Sequence, residues 1–169
     1  MIKLCVVFLI LLSFSSNADT SIKQIRLLYD KANSDEKSCL ELLKRIEERN
    51  KNLPIFLGYK AAGTMMKAKY GINPIQKLNR FKEGKTLLDK TISNNQNNIE
   101  LRYLRFANQT NAPSFLGYNN YIKKDKEFIL TNLSKTKDKE LINIISKFLL
   151  QSDHLNDQEK KEVQQWKNY

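Results

Sequence analysis

Hydrolysis by a serine or cysteine nucleophile needs a base and an orienting group beside the nucleophile. This chain of 169 residues has one histidine, His154, and two cysteines, Cys5 and Cys39. His154 falls near the expected end of a helix, where an imidazole answers the helix dipole or simply meets water. His154 and Cys39 alone cannot close a zinc site, and no run of acids has calcium-loop spacing, so neither a metal nor any other cofactor is expected. Carboxylates are paired at Asp35-Glu36, Glu47-Glu48 and Glu159 with Glu162. Each pair lies beside Lys or Arg on an expected solvent-facing helix surface, which is the arrangement of solvated ion pairs. Five scattered glycines build no phosphate-cradling loop. No catalytic residue is expected, and an unrecognised enzyme is the last of three readings.

Charge is the stronger signal. The formal net charge is +11, but 23 of the 29 basic residues are Lys and 6 are Arg. Nucleic-acid readers lean on Arg for bidentate contacts, so nucleic acid is not an expected partner. From Arg49 through Lys82 there is no Asp or Glu, while Arg49, Lys51, Lys60, Lys67, Lys69, Lys77, Arg80 and Lys82 are basic. If the two helices expected here pack as an antiparallel hairpin, Lys60, Lys67, Lys77 and Arg80 share one surface, with Tyr59 and Tyr70 beside them. These six are the candidate partner-binding residues. Such a surface attracts anionic head groups, acidic glycans or an acidic protein tail; the plainer account is a solvated face in a Lys-rich protein.

The elements that must position these residues are helical. No stretch alternates with period two and no Asn-Gly or Asp-Gly hairpin turn occurs, whereas three-and-four spacing recurs throughout. Ile22, Ile25, Leu28 and Tyr29 form the stripe of a first helix ending near Ala32. Asn33 with Glu36 reads as a capping box for a second that buries Cys39, Leu42, Leu43 and Ile46. Pro54 suits the start of a third, carrying Phe56, Tyr59, Met66 and Tyr70, and Gly71 suits a left-handed stop. Its small residues Gly58, Ala61, Ala62 and Gly63 admit a close neighbour.

Asn73-Pro74 opens a fourth helix whose apolar set is Ile75, Leu78, Phe81, Leu88 and Ile92, with Gly84 marking a crossing. Asn98 caps a fifth, with Leu101, Leu104 and Ala107. After an irregular stretch, 111–120, a sixth begins near Tyr121, a seventh runs from Asp138 to Gln151, and Asn156 with Glu159 caps an eighth carrying Val163 and Trp166. The fold class expected is all-α: about eight helices in antiparallel hairpins, as a right-handed repeat array or a compact bundle.

The first 18 residues read as a secretory leader. Lys3 is the basic start, Leu4 to Leu12 the apolar core and Ser16-Asn17-Ala18 the exit before Asp19. The run is far shorter than the roughly 20 residues of a spanning helix, and no later segment is longer. Residues 19–169 are then one exported domain, periplasmic or extracellular, with no transmembrane segment. Its lone Cys39 is expected as a buried apolar residue.

Two further patterns remain. Pro54-Ile55-Phe56-Leu57-Gly58-Tyr59 recurs as Pro113-Ser114-Phe115-Leu116-Gly117-Tyr118, identical at five of six positions; it is either a duplicated recognition element or two helix starts using one proline and aromatic anchor. Leu57-Gly58 with Tyr59, then Gly84 with Leu88, then the turn from Asn97 to Tyr103 resemble tetratricopeptide-type hairpins over Leu53 to Asn108. The whole chain is similar to small exported all-helical proteins of Bacteroidetes type. These resemblances imply a helical scaffold that recognises a protein or peptide, and carry over no catalytic residue. The first functional expectation is therefore an exported, non-enzymatic binding or scaffolding protein. The alternative is electrostatic attachment to an anionic envelope surface or glycan.

Overall fold

Side-chain oxygens set most of the helix starts along this chain. The computed structural model describes residues 14–48 and 52–166, with side chains from Ile22 onward, and every regular element among them is helical. These are α1 (Phe14–Ala32), α2 (Glu36–Glu47), α3 (Pro54–Lys69), α4 (Pro74–Asn94), α5 (Ile99–Asn111), α6 (Ile122–Asn132), α7 (Lys139–Gln151) and α8 (Asp157–Trp166), with short 3-10 turns at Ser114–Leu116 and Leu133–Lys135. Residues 1–13 of the expected leader, Cys5 among them, and Arg49 and Lys51 of the basic run lie outside the described residues.

Asn73 accepts from the N–H groups of Ile75 and Gln76, Asn98 from Leu101, and Asp138 from Leu141. Each satisfies donors that a helix start leaves without a partner. Asn156 and Glu159 form the full reciprocal box at 2.9 Å in both directions. The box expected between Asn33 and Glu36 does not form. Asp35 caps α2 instead, accepting from Lys37 and Ser38, because its carboxylate stands immediately before the first helical residue. The Ser38 hydrogen bonds hold the Asp35 carboxyl below its ordinary pKa.

The helices pack in chain order as four hairpins, α1 with α2 through α7 with α8, forming a compact all-α bundle. Short turns leave consecutive helices antiparallel. The closest approach is α3 on α4: a Cβ at Gly84 would come 2.5 Å from the Ala61 carbonyl oxygen and 2.6 Å from Met65 Cγ. Only glycine lets the two backbones meet there. Gly71, expected to stop α3 in a left-handed conformation, does not adopt one; Gly117 is the described residue with positive φ, at 60°. Gly71 instead continues the turn, donating to the Ala68 carbonyl at 3.3 Å.

Gly84, Leu88 and Ile92 set the buried face of α4. Ile75 lies two and a half turns before Gly84, on the opposite side of the helix. It is 71% exposed and Leu78 40%, so the first two apolar residues expected in the stripe of α4 stand outside the core.

Helix α5 is enclosed by its neighbours: every residue from Glu100 to Ala107 is buried. A helix buried all round must pair whatever charge it carries. Arg102 and Arg105 both reach the buried Asp125 of α6, at 2.9 and 2.7 Å, and their guanidinium planes lie over Phe128 and Tyr121. Glu100 turns the other way, toward α1. Cys39 is buried on α2, its thiol 3.6 Å from the Gly63 carbonyl oxygen. Burial raises its pKa, which disfavours the reactive thiolate.

Candidate functional site

Glu100 is held from two sides. Arg26 of α1 engages it through Nε at 2.7 Å and Nη2 at 2.8 Å, and the Tyr59 hydroxyl of α3 donates to it at 2.7 Å. Arg26 continues to Asp138 at 2.8 Å and Glu140 at 3.0 Å on the first turn of α7 and its cap. One guanidinium thereby ties the first helix to the last hairpin across 114 residues of chain. A planar fork of five donors can make these four hydrogen bonds to three carboxylates at once, one more than an ammonium has donors. Burial alone would lower the Arg26 pKa, but the Glu100 hydrogen bonds and charge, with Asp138, outweigh it and raise the pKa above its ordinary value. Burial works to raise the Asp138 pKa, but the Arg26 bond and the Leu141 N–H keep it below the ordinary carboxylate range.

Above this network opens a cleft of about 270 Å³, walled by α1 and α7 and floored by Tyr59 and Tyr103. On α1, Arg26, Tyr29 and Asp30 share one face; on α7, Glu140, Asn143, Ile144, Lys147, Phe148 and Gln151 recur at three-and-four spacing, so a single face lines the wall. Aromatic edges hold the floor: Tyr29 meets Tyr59 at 5.3 Å and Tyr103 meets Phe148 at 5.6 Å between ring centroids. The Tyr29 hydroxyl is 3.2 Å from the Asn108 amide nitrogen that donates to it. Tyr103 differs. It is 5% exposed and lines the cleft, yet among the described residues none forms a hydrogen bond with its hydroxyl. Burial raises the pKa of all three phenols, so at neutral pH Tyr103 presents a neutral O–H that can donate or accept.

Asp30 and Glu140 line the cleft against Arg26 and Lys147, and Glu100 and Asp138 lie beneath it, bonded to Arg26. The lining charges therefore balance, in a chain whose net charge is +11. This is a charge-balanced, aromatic hollow in a strongly cationic chain. What it can do is bind: it offers aromatic faces, apolar wall from Leu27 and Ile144, and acceptors for a positively charged group.

The six residues expected to share a basic surface divide. Tyr59 is buried and bonded to Glu100, so it cannot touch a partner on that surface; its position on α3 faces α1 and α5, and it belongs to the cleft. Lys67, Tyr70 and Arg80 line a separate open groove at the α3–α4 turn, and Lys77 lies beside them over Gly71. Tyr70 donates to the Ala32 carbonyl at 2.6 Å, pinning this turn to the end of α1. Lys60 is half-buried, at a residue spacing of nearly three helical turns from the groove's Tyr70.

His154 is exposed, its ring edge-on to Phe106 at 5.8 Å. Glu159 accepts from Lys126 at 2.7 Å rather than pairing with Glu162. Among the described residues no group of three His, Cys, Asp or Glu is placed to hold a metal ion, and no helix is long and apolar enough to cross a membrane.

Sequence reading did not find the cleft. Its signals were present: Arg26 inside an apolar stripe, and the polar positions Glu140, Asn143 and Lys147 on the same side of α7 as Ile144 and Phe148. Ile144 and Phe148 have the helical spacing of core residues, yet both are half-buried at the cleft wall. The chain matches no family model, no curated protein and no solved structure, so the role of the cleft rests on its own geometry.

Proposed function

We propose that this is an exported, non-enzymatic binding protein that takes a segment of a peptide or protein partner into the cleft between α1 and α7, with a basic side chain of that segment facing the carboxylates. The carrying observation is Tyr103: its hydroxyl has no hydrogen-bond partner among the described residues and opens into a hollow lined by the carboxylates Asp30 and Glu140. A ligand that gives this hydroxyl a partner and sets a cation against these carboxylates is held at both points. The order of elements supports the likeness to tetratricopeptide hairpins, since the first helix of each of the four hairpins contributes to the cleft, as helices of solenoids do to their concave faces.

The test is a binding titration of the whole chain against peptide pools that differ in one feature: fixed Lys or Arg, fixed Asp or Glu, or uncharged. Enrichment of the Lys and Arg pools, weakened about tenfold by Tyr103→Phe or Asp30→Asn at unchanged thermal midpoint, is the expected result. Preference for the acidic pool, unaltered by either variant, would remove the cleft from consideration and return the binding role to the basic turn.

A further inference from the structure

The α3–α4 turn carries a second, independent surface, and it does not rest on the cleft reading. Ile72 is 98% exposed at the tip of the turn, and Ile75, Leu78 and Lys82 follow along the solvent side of α4 at positions i, i+3 and i+7. The tip is rigidly built: Asn73 caps α4, Pro74 occupies its first turn, and Tyr70 fastens the end of α3 to the Ala32 carbonyl. Behind the apolar tip stand Lys67, Lys69, Lys77 and Arg80. Three acids stand among them: Glu36 on the wall of the open groove of about 600 Å³, Asp35 before it at the start of α2, and Glu83 on the flank of α4.

We infer that this turn docks on an anionic lipid bilayer, with Ile72 and Ile75 inserted among the acyl chains and the surrounding Lys and Arg side chains at the phosphates. Three features select that occupant. The apolar residues form a projecting tip and not a groove, so they fit a soft hydrocarbon layer better than a folded protein surface. Cations outnumber acids around the tip, and long Lys and Arg side chains reach head groups while their stems lie along apolar surface. A tip of three side chains is far too small for a stable copy-to-copy interface, which needs about 1,000 Å². An acidic protein tail or a free phosphate would account for the basic residues but would leave Ile72 and Ile75 in water.

The experiment is vesicle co-flotation of the whole chain with phosphatidylcholine vesicles and with vesicles containing 30% phosphatidylglycerol, in low and high salt. Wild type is expected to partition at least tenfold more strongly onto the anionic vesicles, with salt reducing that preference. Ile72→Ser with Ile75→Ser should lower partition onto anionic vesicles at least tenfold without altering the thermal midpoint, because both side chains are outside the core. Lys77→Gln with Arg80→Gln should abolish the difference between the two vesicle types. A second readout uses Ile72→Trp in a Trp166→Phe background, whose emission should shift to the blue with anionic vesicles alone. The inference is overturned if the serine variant binds as wild type does, if both vesicle types bind equally, or if the tip tryptophan shifts with protein concentration and without lipid, which would make the tip a contact between copies.

Discussion

The segments 54–59 and 113–118 share five of six residues and fold differently. Pro54 opens the 16-residue helix α3; Pro113 opens a three-residue 3-10 turn that ends with Gly117 in the left-handed region. The residues C-terminal to each segment decide its conformation. After Tyr59 come Lys60, Ala61 and Ala62, which prolong a helix, and the small side chains let α4 and α5 close in. After Tyr118 come Asn119 and Asn120, whose side chains compete for backbone groups and favour turns. The shared residues are then used unequally: Phe56 is 7% exposed and Phe115 84%. The tyrosines alone keep a common role, both buried with the hydroxyl donating to a carboxylate, Tyr59 to Glu100 at 2.7 Å and Tyr118 to Asp89 at 3.3 Å. The repeated hexapeptide is thus a repeated tyrosine anchor and not a repeated element, which departs from the expectation of two helix starts.

The contrast is largest at the phenylalanines. Phe56→Ala is expected to cost about 3–5 kcal/mol in chemical denaturation, the range for removing a buried ring, while Phe115→Ala should fall within about 0.5 kcal/mol of wild type. Similar losses at both sites would mean that Phe115 is covered in solution.

Next are the tyrosines. Tyr59→Phe takes a donor from a buried carboxylate and should cost about 1.5–3 kcal/mol, the range for hydrogen bonds to charged groups. Tyr118→Phe should cost less than about 1 kcal/mol, because its bond is longer and Asp89 keeps Arg105 as a second partner. Denaturation of the two variants side by side gives the ranking directly.

The two segments share their glycine for unrelated reasons, and substitution separates them. A Cβ at Gly58 collides with Leu101 Cδ2 in the core, so Gly58→Ala should cost about 1–3 kcal/mol and Gly58→Asn more. Gly117 has open space around it and a φ of 60°, so Gly117→Ala should cost about 1–2 kcal/mol through conformation alone, with Gly117→Asn recovering much of that loss. Equal responses to Asn at the two positions would contradict this division.

The smallest effect at neutral pH emerges only in alkali. Burial first, then the neighbouring carboxylates, raises the pKa of Tyr59 and Tyr118 above the ordinary phenol value. The unfolded chain releases these protons near pH 10 while the folded chain retains them, so their contribution to stability is intact below about pH 10 and declines as pH rises above it. Ultraviolet titration should show both phenols ionising late and together with loss of the helical signal. Ionisation near pH 10 with the helices intact would count against their burial.

Much of the helical layout was legible because its causes are local. Asn73, Asn98 and Asn156 cap within three residues, and Cys39, Leu42 and Ile46 bury one face of α2 at helical spacing. Gly84 announced a helix crossing. The errors share another cause: Asp35 competed with Asn33 for the same cap, and Ile75 and Leu78 obeyed helical spacing on a side of α4 that no neighbour covers. Periodicity identifies a face but not whether anything packs on it.

Amino-acid order alone was enough for the all-α class, most helix starts and the strongly basic character of the 49–82 stretch, since these depend on residues within a turn or two and on composition. Where charge goes inside was settled by the assembled helices. Arg26 and Glu100 are 74 residues apart, and nothing in either neighbourhood marks them as partners. Their pairing, the removal of Tyr59 from the surface and the cleft above Tyr103 come from long-range packing, because an ion pair gains its strength from the burial that only the packed bundle provides.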